Sequence, residues 1–235
     1  MDQSLPPPKP KASLRNKIGC GVLILLGLLF VVEIFDPFFY RGSRAMMNAK
    51  ITAVSLNGSI IVKGLMHYAE DHDGKFPEGR THSNEAFRQL FPDYVDDEKL
   101  FFVPHSAWHD AAPKHRPDGD IGTAPGYARC LQEGENHWAF VSGLGGQSPP
   151  GTPLLADDFA DGPPWRYTDN PKKKGGVWKG AKAIVIFADG SVEQVKLSAR
   201  DDFHVMKAKP DSAQKVDLFT REGGLPENAK VLNPQ

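Results

Sequence analysis

Met47, Ile51, Val54, Gly58, Ile61, Leu65 and Tyr68 recur at intervals of four and three. An α-helix turns once in about 3.6 residues, so these positions form one stripe, while Lys50, Asn57, Lys63 and Glu70 fall elsewhere on the wheel. The pattern predicts a helix over 44–72, stopped at Asp73-Gly74 with Pro77 just beyond. Its C-terminal half is expected to face a core, and its N-terminal half to pack against neighbouring copies. A second, short helix is predicted over Asn84–Phe91, capped by Ser83 or Asn84 and ended by Pro92. Leu100–Val103, Trp138–Val141 and Leu154–Ala156 are apolar runs too short for helices and read as strands. Ala183–Phe187 is β-branched and apolar, and Val192, Val195 and Leu197 follow an Asp189-Gly190 pair. That is a hairpin with a two-residue turn. Segments 104–135 and 160–180 read as loops, and 206–235 as irregular.

Upstream of these elements, Ile18–Phe35 is an apolar run whose one ionisable side chain of consequence, Glu33, lies near its end. About 18 such residues sit at the short end of what spans a bilayer as a helix. Lys9, Lys11, Arg15 and Lys17 precede the run, against Asp2 alone. The positive-inside rule then places the N-terminus in the cytoplasm and sends residue 41 onward outside. Phe38, Phe39 and Tyr40 form an aromatic belt at the outer interface. The competing reading is a cleaved signal peptide, with Ser43-Arg44-Ala45 as its site. The run is long for that, and Asp36-Pro37 and three aromatics lie between run and site. The expected organisation is a disordered cytoplasmic tail over 1–17, a transmembrane anchor over 18–40, an exported domain over 41–205, and a C-terminal extension over 206–235.

A formal net charge of -1 argues against nucleic acid as a partner. Twenty Pro and 23 Gly point to short elements joined by long loops. Cys20 falls in the apolar run and Cys130 in the exported part, so no internal disulfide is available and stability must come from packing.

Several stretches together resemble a known family. The helix running into Tyr68-Ala69-Glu70-Asp71-His72-Asp73-Gly74-Lys75-Phe76-Pro77 is similar to the helix end of bacterial pseudopilin-like proteins. These belong to the type II secretion and type IV pilin superfamily, in the branch abundant in planctomycetes and verrucomicrobia. Leu90-Phe91-Pro92 to Tyr94-Val95, Leu100-Phe101 to Pro104, and Pro153-Leu154-Leu155-Ala156-Asp157 resemble it in the same order. The closing hairpin resembles the family's terminal His-x9-Asp-Gly motif, with Lys179 where the His would stand. The resemblance covers roughly residues 44–197. It implies an α+β, pilin-like fold, in which an N-terminal transmembrane helix continues into a long amphipathic helix packed on a small antiparallel sheet. It implies a non-enzymatic structural or interaction role in the inner membrane. The partners it implies are the membrane and other pseudopilins or secretion-system proteins. One departure is plain: Glu33 comes late in the run and no Gly-Phe or Gly-Met junction starts it, so the anchor is expected to stay uncleaved.

Candidate chemistry is sparse. Asp157, Asp158 and Asp161 cluster after a predicted strand, and several pseudopilins hold calcium in a C-terminal loop, so the resemblance makes these three candidate calcium ligands. The alternatives are solvated turn carboxylates and, for the whole chain, an exported calcium- or ligand-binding module with no filament role. His105 and His109 have helical zinc spacing, with His115 and Asp110 nearby, but Pro104 and Pro113 mark the stretch as loop. His137 reads as a packed edge residue. Lys172-Lys173-Lys174-Gly175-Gly176, flanked by Trp165 and Trp178, reads as a solvated basic loop. No nucleophile motif is present, and Gly143-Leu144-Gly145-Gly146 lacks the following helix that a phosphate cradle needs.

Overall fold

The computed structural model describes residues 45–104, 106–209 and 214–235. The tail over 1–17 and the anchor over 18–40 lie outside the described residues, as does His105. Among the described residues no helix is long and apolar enough to cross a membrane. Ala49–Gln235 forms one compact unit.

The first helix, α1, runs over 45–71. Within the unit, Ile51, Val54, Ile61 and Leu65 on the predicted stripe are buried, and Val62 and Ala69 widen it. The helix stops where expected: Asp73 and Gly74 take positive φ (54° and 76°), and the Gly74 amide bonds back to the Ala69 carbonyl at 2.8 Å. Gly58 has a packing reason for being glycine. A Cβ there would come within 2.7 Å of the Trp138 ring and would also overlap Ile186, so its absence lets the helix lie close on the sheet.

That sheet comprises β1 (Trp138–Ser142), β2 (Pro153–Asp157), β3 (Lys182–Phe187), β4 (Val192–Lys196) and, after a small separate hairpin of β5 (Met206–Ala208) and β6 (Lys215–Asp217), β7 (Lys230–Leu232). Its order is β4-β3-β2-β1-β7, with every pair antiparallel. β1 and β2 are buried throughout, which is why they read as unbroken apolar runs. The fold is thus α+β, with one 27-residue helix on a five-stranded antiparallel sheet.

Four expectations are corrected. The short helix α2 is Ser83–Phe87, continued by a 3-10 turn to Leu90, and has no side-chain cap. Ser83 and Asn84 are buried instead: Ser83 donates to the Trp138 carbonyl (2.7 Å) and Asn84 to that of Leu131 (2.7 Å). Leu100–Val103 is no strand. Phe101 ends a 3-10 turn, and its ring packs on Phe87 and Phe91. The hairpin turn has three residues, Ala188, Asp189 and Gly190, because the Phe187 amide bonds to the Ser191 carbonyl (2.9 Å), and of the three only Gly190 has positive φ. The segment 206–235 is not irregular, since Lys230–Leu232 supplies an edge strand beside β1.

Candidate functional site

The most unusual chemistry in the unit lies where β1 begins and β2 ends. Residues flanking antiparallel neighbours come together, and here Trp138 pairs with Asp157. His137 stands just before β1, and Asp158 just after β2. The imidazole is pinched between two carboxylates: Nε2 lies 2.8 Å from Asp157 Oδ1 and Nδ1 lies 3.1 Å from Asp158 Oδ1. The first is a hydrogen bond. The second is an ion-pair contact without hydrogen-bond alignment. All three side chains are closed off from solvent.

Asp157 is the better-held carboxylate. Its Oδ2 accepts from the Ile184 amide (2.6 Å) and the Trp178 indole (2.9 Å), while its carbonyl accepts from the Tyr167 hydroxyl (3.2 Å). Asp158 is tied down by its backbone, the amide donating to the His137 carbonyl at 2.8 Å, but neither side-chain oxygen has a hydrogen-bond donor. Burial opposes a charge on His137, yet the close Asp158 charge, the hydrogen bond to Asp157 and the Asp157 charge overcome it and push the imidazole up to about 10. His137 is therefore an imidazolium at neutral pH, and Nε2–H donates to Asp157. The neighbouring His109, 6.3 Å away between ring centroids, goes the other way: burial, then the His137 charge, hold it down to about 4. Neutral His109 accepts from the Val103 amide at Nε2 (3.3 Å) and donates from Nδ1 to the His115 carbonyl.

The chain matches no protein-family model, no curated protein and no solved structure.

The candidate calcium ligands part company in the fold. Asp157 and Asp158 are in the buried clamp, whereas the Asp161 side chain is 66% exposed and pairs with Arg166 at 3.2 Å. Among the described residues no group of three or more His, Cys, Asp or Glu side chains is arranged to hold a metal. His115 stacks on Trp108 at 4.1 Å with its Nδ1 on the Trp108 carbonyl (2.7 Å), and both ring nitrogens of His109 are taken by backbone groups. The basic loop is only partly solvated: Lys172 and Lys173 are exposed, but Lys174 is half-buried and donates to the Pro234 carbonyl at 2.8 Å. Cys130 is buried and free, and burial followed by the charge of Glu98 holds its thiol protonated.

His137 was missed as a site residue because nothing local distinguishes it. The available signal was a His and an Asp-Asp pair abutting two apolar strands, which becomes informative only once those strands are paired. With no solvent access, the clamp cannot act on a dissolved substrate. Its chemistry is structural: a charged tie joining the start of β1 to the end of β2 and, through Asp157, to β3 and Trp178.

Proposed function

We propose that this chain is a membrane-anchored structural or interaction protein of pseudopilin type, without enzymatic activity. Its N-terminus lies in the cytoplasm and its folded unit beyond the inner membrane, where it assembles with copies or with secretion-system proteins. The observation that carries this reading is the division of labour along α1. One face is committed to the sheet, while Leu56 and Ile60, one turn apart on another face, stay 62% and 46% exposed. Large apolar side chains left out of the core beside each other are what a helix keeps when it has a further surface to meet. The buried clamp fits the same reading, because it ties β1 to β2 and β3 and is itself closed off from solvent.

Chemical cross-linking in membranes tests this. Leu56→Asp combined with Ile60→Asp should cut cross-linked adducts of the chain by about tenfold, equivalent to about 1.4 kcal/mol of association. Folding stability should fall by about 1 kcal/mol, since both positions are outside the core but two aspartates one turn apart repel each other and are poorer helix formers. Adducts persisting at the wild-type level would show that this face is not the contact.

A further inference from the structure

Where α1 ends, a surface cleft of about 520 Å³ opens, lined by Tyr68 and His72 of the helix, Arg88 and Tyr94, and Tyr127. The rings form a platform. Tyr68 stacks on His72 at 3.7 Å with the planes parallel to within 1°, and Tyr94 meets Tyr68 edge-on at 5.4 Å. Both phenols are anchored, Tyr68 donating to Gln89 Oε1 (3.2 Å) and Tyr94 to Asp71 Oδ2 (2.9 Å). Tyr127 takes φ of 41°, an uncommon conformation for a residue with a Cβ, and strain of this kind clusters at ligand sites.

The charge around the platform is acidic. Asp93 and Glu85 line the cleft, and Asp71 holds the Tyr94 phenol. The Tyr94 hydroxyl is pushed up by its hydrogen bond to Asp71, then by burial and by the charges of Asp71 and Asp93. The Tyr68 hydroxyl is pushed up by burial and then by the charge of Glu78. The arginine in the wall keeps its charge, since its Nε and Nη2 donate to the neutral Cys130 and Leu131 carbonyls (2.6 and 3.1 Å), but those bonds hold its guanidinium in place and the carboxylates of Asp71, Glu85 and Asp93 outnumber it. Glu85 is likewise engaged, accepting from Thr81 through its amide (3.0 Å) and its hydroxyl (2.7 Å).

Aromatic faces carry negative quadrupoles, and nearby carboxylates add to the same field. Anions are repelled from such a site. A hard metal ion finds too few converging oxygens. A cation with an apolar collar gains from both the ring faces and the charge. We propose that this cleft binds an organic ammonium group, either a methylated ammonium or the end of a lysine side chain.

The test uses the full chain in a detergent without an ammonium headgroup, with tyrosine rings isotopically labelled. The chain has five tyrosines, and Tyr167, 3% exposed in the core, serves as an internal reference. Choline and N-acetyl-lysine methylamide are titrated separately, up to about 100 mM. The Tyr68, Tyr94 and Tyr127 resonances should shift saturably while Tyr167 stays in place. Whichever probe binds more tightly identifies the source as a methylated headgroup or a protein side chain, and either order supports the site. Tyr94→Leu should weaken binding about tenfold and Asp93→Asn about threefold, with unchanged Tyr167 resonances showing that the fold is intact. The neutral choline isostere 3,3-dimethylbutanol should bind at least about tenfold more weakly than choline. Equal binding of the isostere, or no saturable shift with either cation, overturns the proposal.

Discussion

Two pairs of buried carboxylates in this unit are treated in opposite ways. Asp157 and Asp158 lie on either side of His137, and the proton sits on the imidazole. Glu98 and Glu135, 2% and 4% exposed, have no such partner. Glu98 accepts from the Leu131 amide (2.6 Å) through one oxygen, and its other oxygen has no donor. Glu135 accepts from the Gln132 amide (2.6 Å), but burial, together with the charges of Glu98 and Asp118, pushes it up to about 7. The groups and the burial are similar, yet the outcomes differ. Direct contact between opposite charges outweighs desolvation at His137, and hydrogen bonds from backbone amides do not outweigh it at Glu135. The first pair becomes a tie, and in the second Glu135 becomes a pH-dependent weakness.

The largest test removes the cation. His137→Gln leaves two carboxylates buried without a counter-charge and should cost about 3–5 kcal/mol in urea denaturation at pH 7. His137 is raised in the folded state, so its contribution is complete below about pH 6.5 and is lost as the pH climbs toward 10. The gap between wild type and variant should narrow over that interval. A loss under about 1 kcal/mol at pH 7 would mean the imidazole is not carrying the charge, and the contrast with the glutamates would disappear.

A smaller effect of opposite sign is expected from Glu135→Gln. An acid raised in the folded state holds its proton more tightly there, so the wild type loses stability as the pH rises from about 4.5 to about 7. The amide should therefore stabilise the chain by about 1 kcal/mol at pH 8, after allowance for solvent screening, and leave it unchanged near pH 4.5. Equal melting temperatures at pH 8 would place an unrecognised compensating charge beside Glu135.

The smallest change calibrates the other two. Gly190 has φ of 79°, and a Cβ there would meet nothing within 4 Å, so Gly190→Val introduces backbone strain without a clash. It should cost about 1 kcal/mol. That cost should be the same from pH 5 to pH 9, because the shifted group in the turn, Asp189, is held below the usual carboxylate range by its hydrogen bonds from Ser191 and stays ionised throughout. A pH-dependent cost would show that the hairpin is coupled to one of the acid pairs.

Much of this fold was legible along the chain, and the reasons are local. The α1 stripe repeats over many turns, and Asp73-Gly74 followed by Pro77 ends it by backbone geometry alone. The β3–β4 hairpin was legible because its strands are neighbours and its turn carries Gly190. The failures share a cause. Ser83 and Asn84 look like helix caps, but a buried carbonyl of Trp138 or Leu131 was a stronger claim on their donors than the helix end. Lys230–Leu232 looks irregular because its partner, β1, lies some ninety residues upstream.

The candidate site divides along the same line. The order of residues alone determined that Asp157, Asp158 and Asp161 would be clustered acids after a strand, and clustered acids suggest a cation. The tertiary structure decided which cation the first two would have. Antiparallel pairing of β1 with β2 carries His137 to Asp157 and Asp158 from about twenty residues away and closes all three off from water, while Asp161 stays outside on Arg166. Burial and pairing depend on which segments meet, and a spacing within one segment carries no record of what will be packed against it.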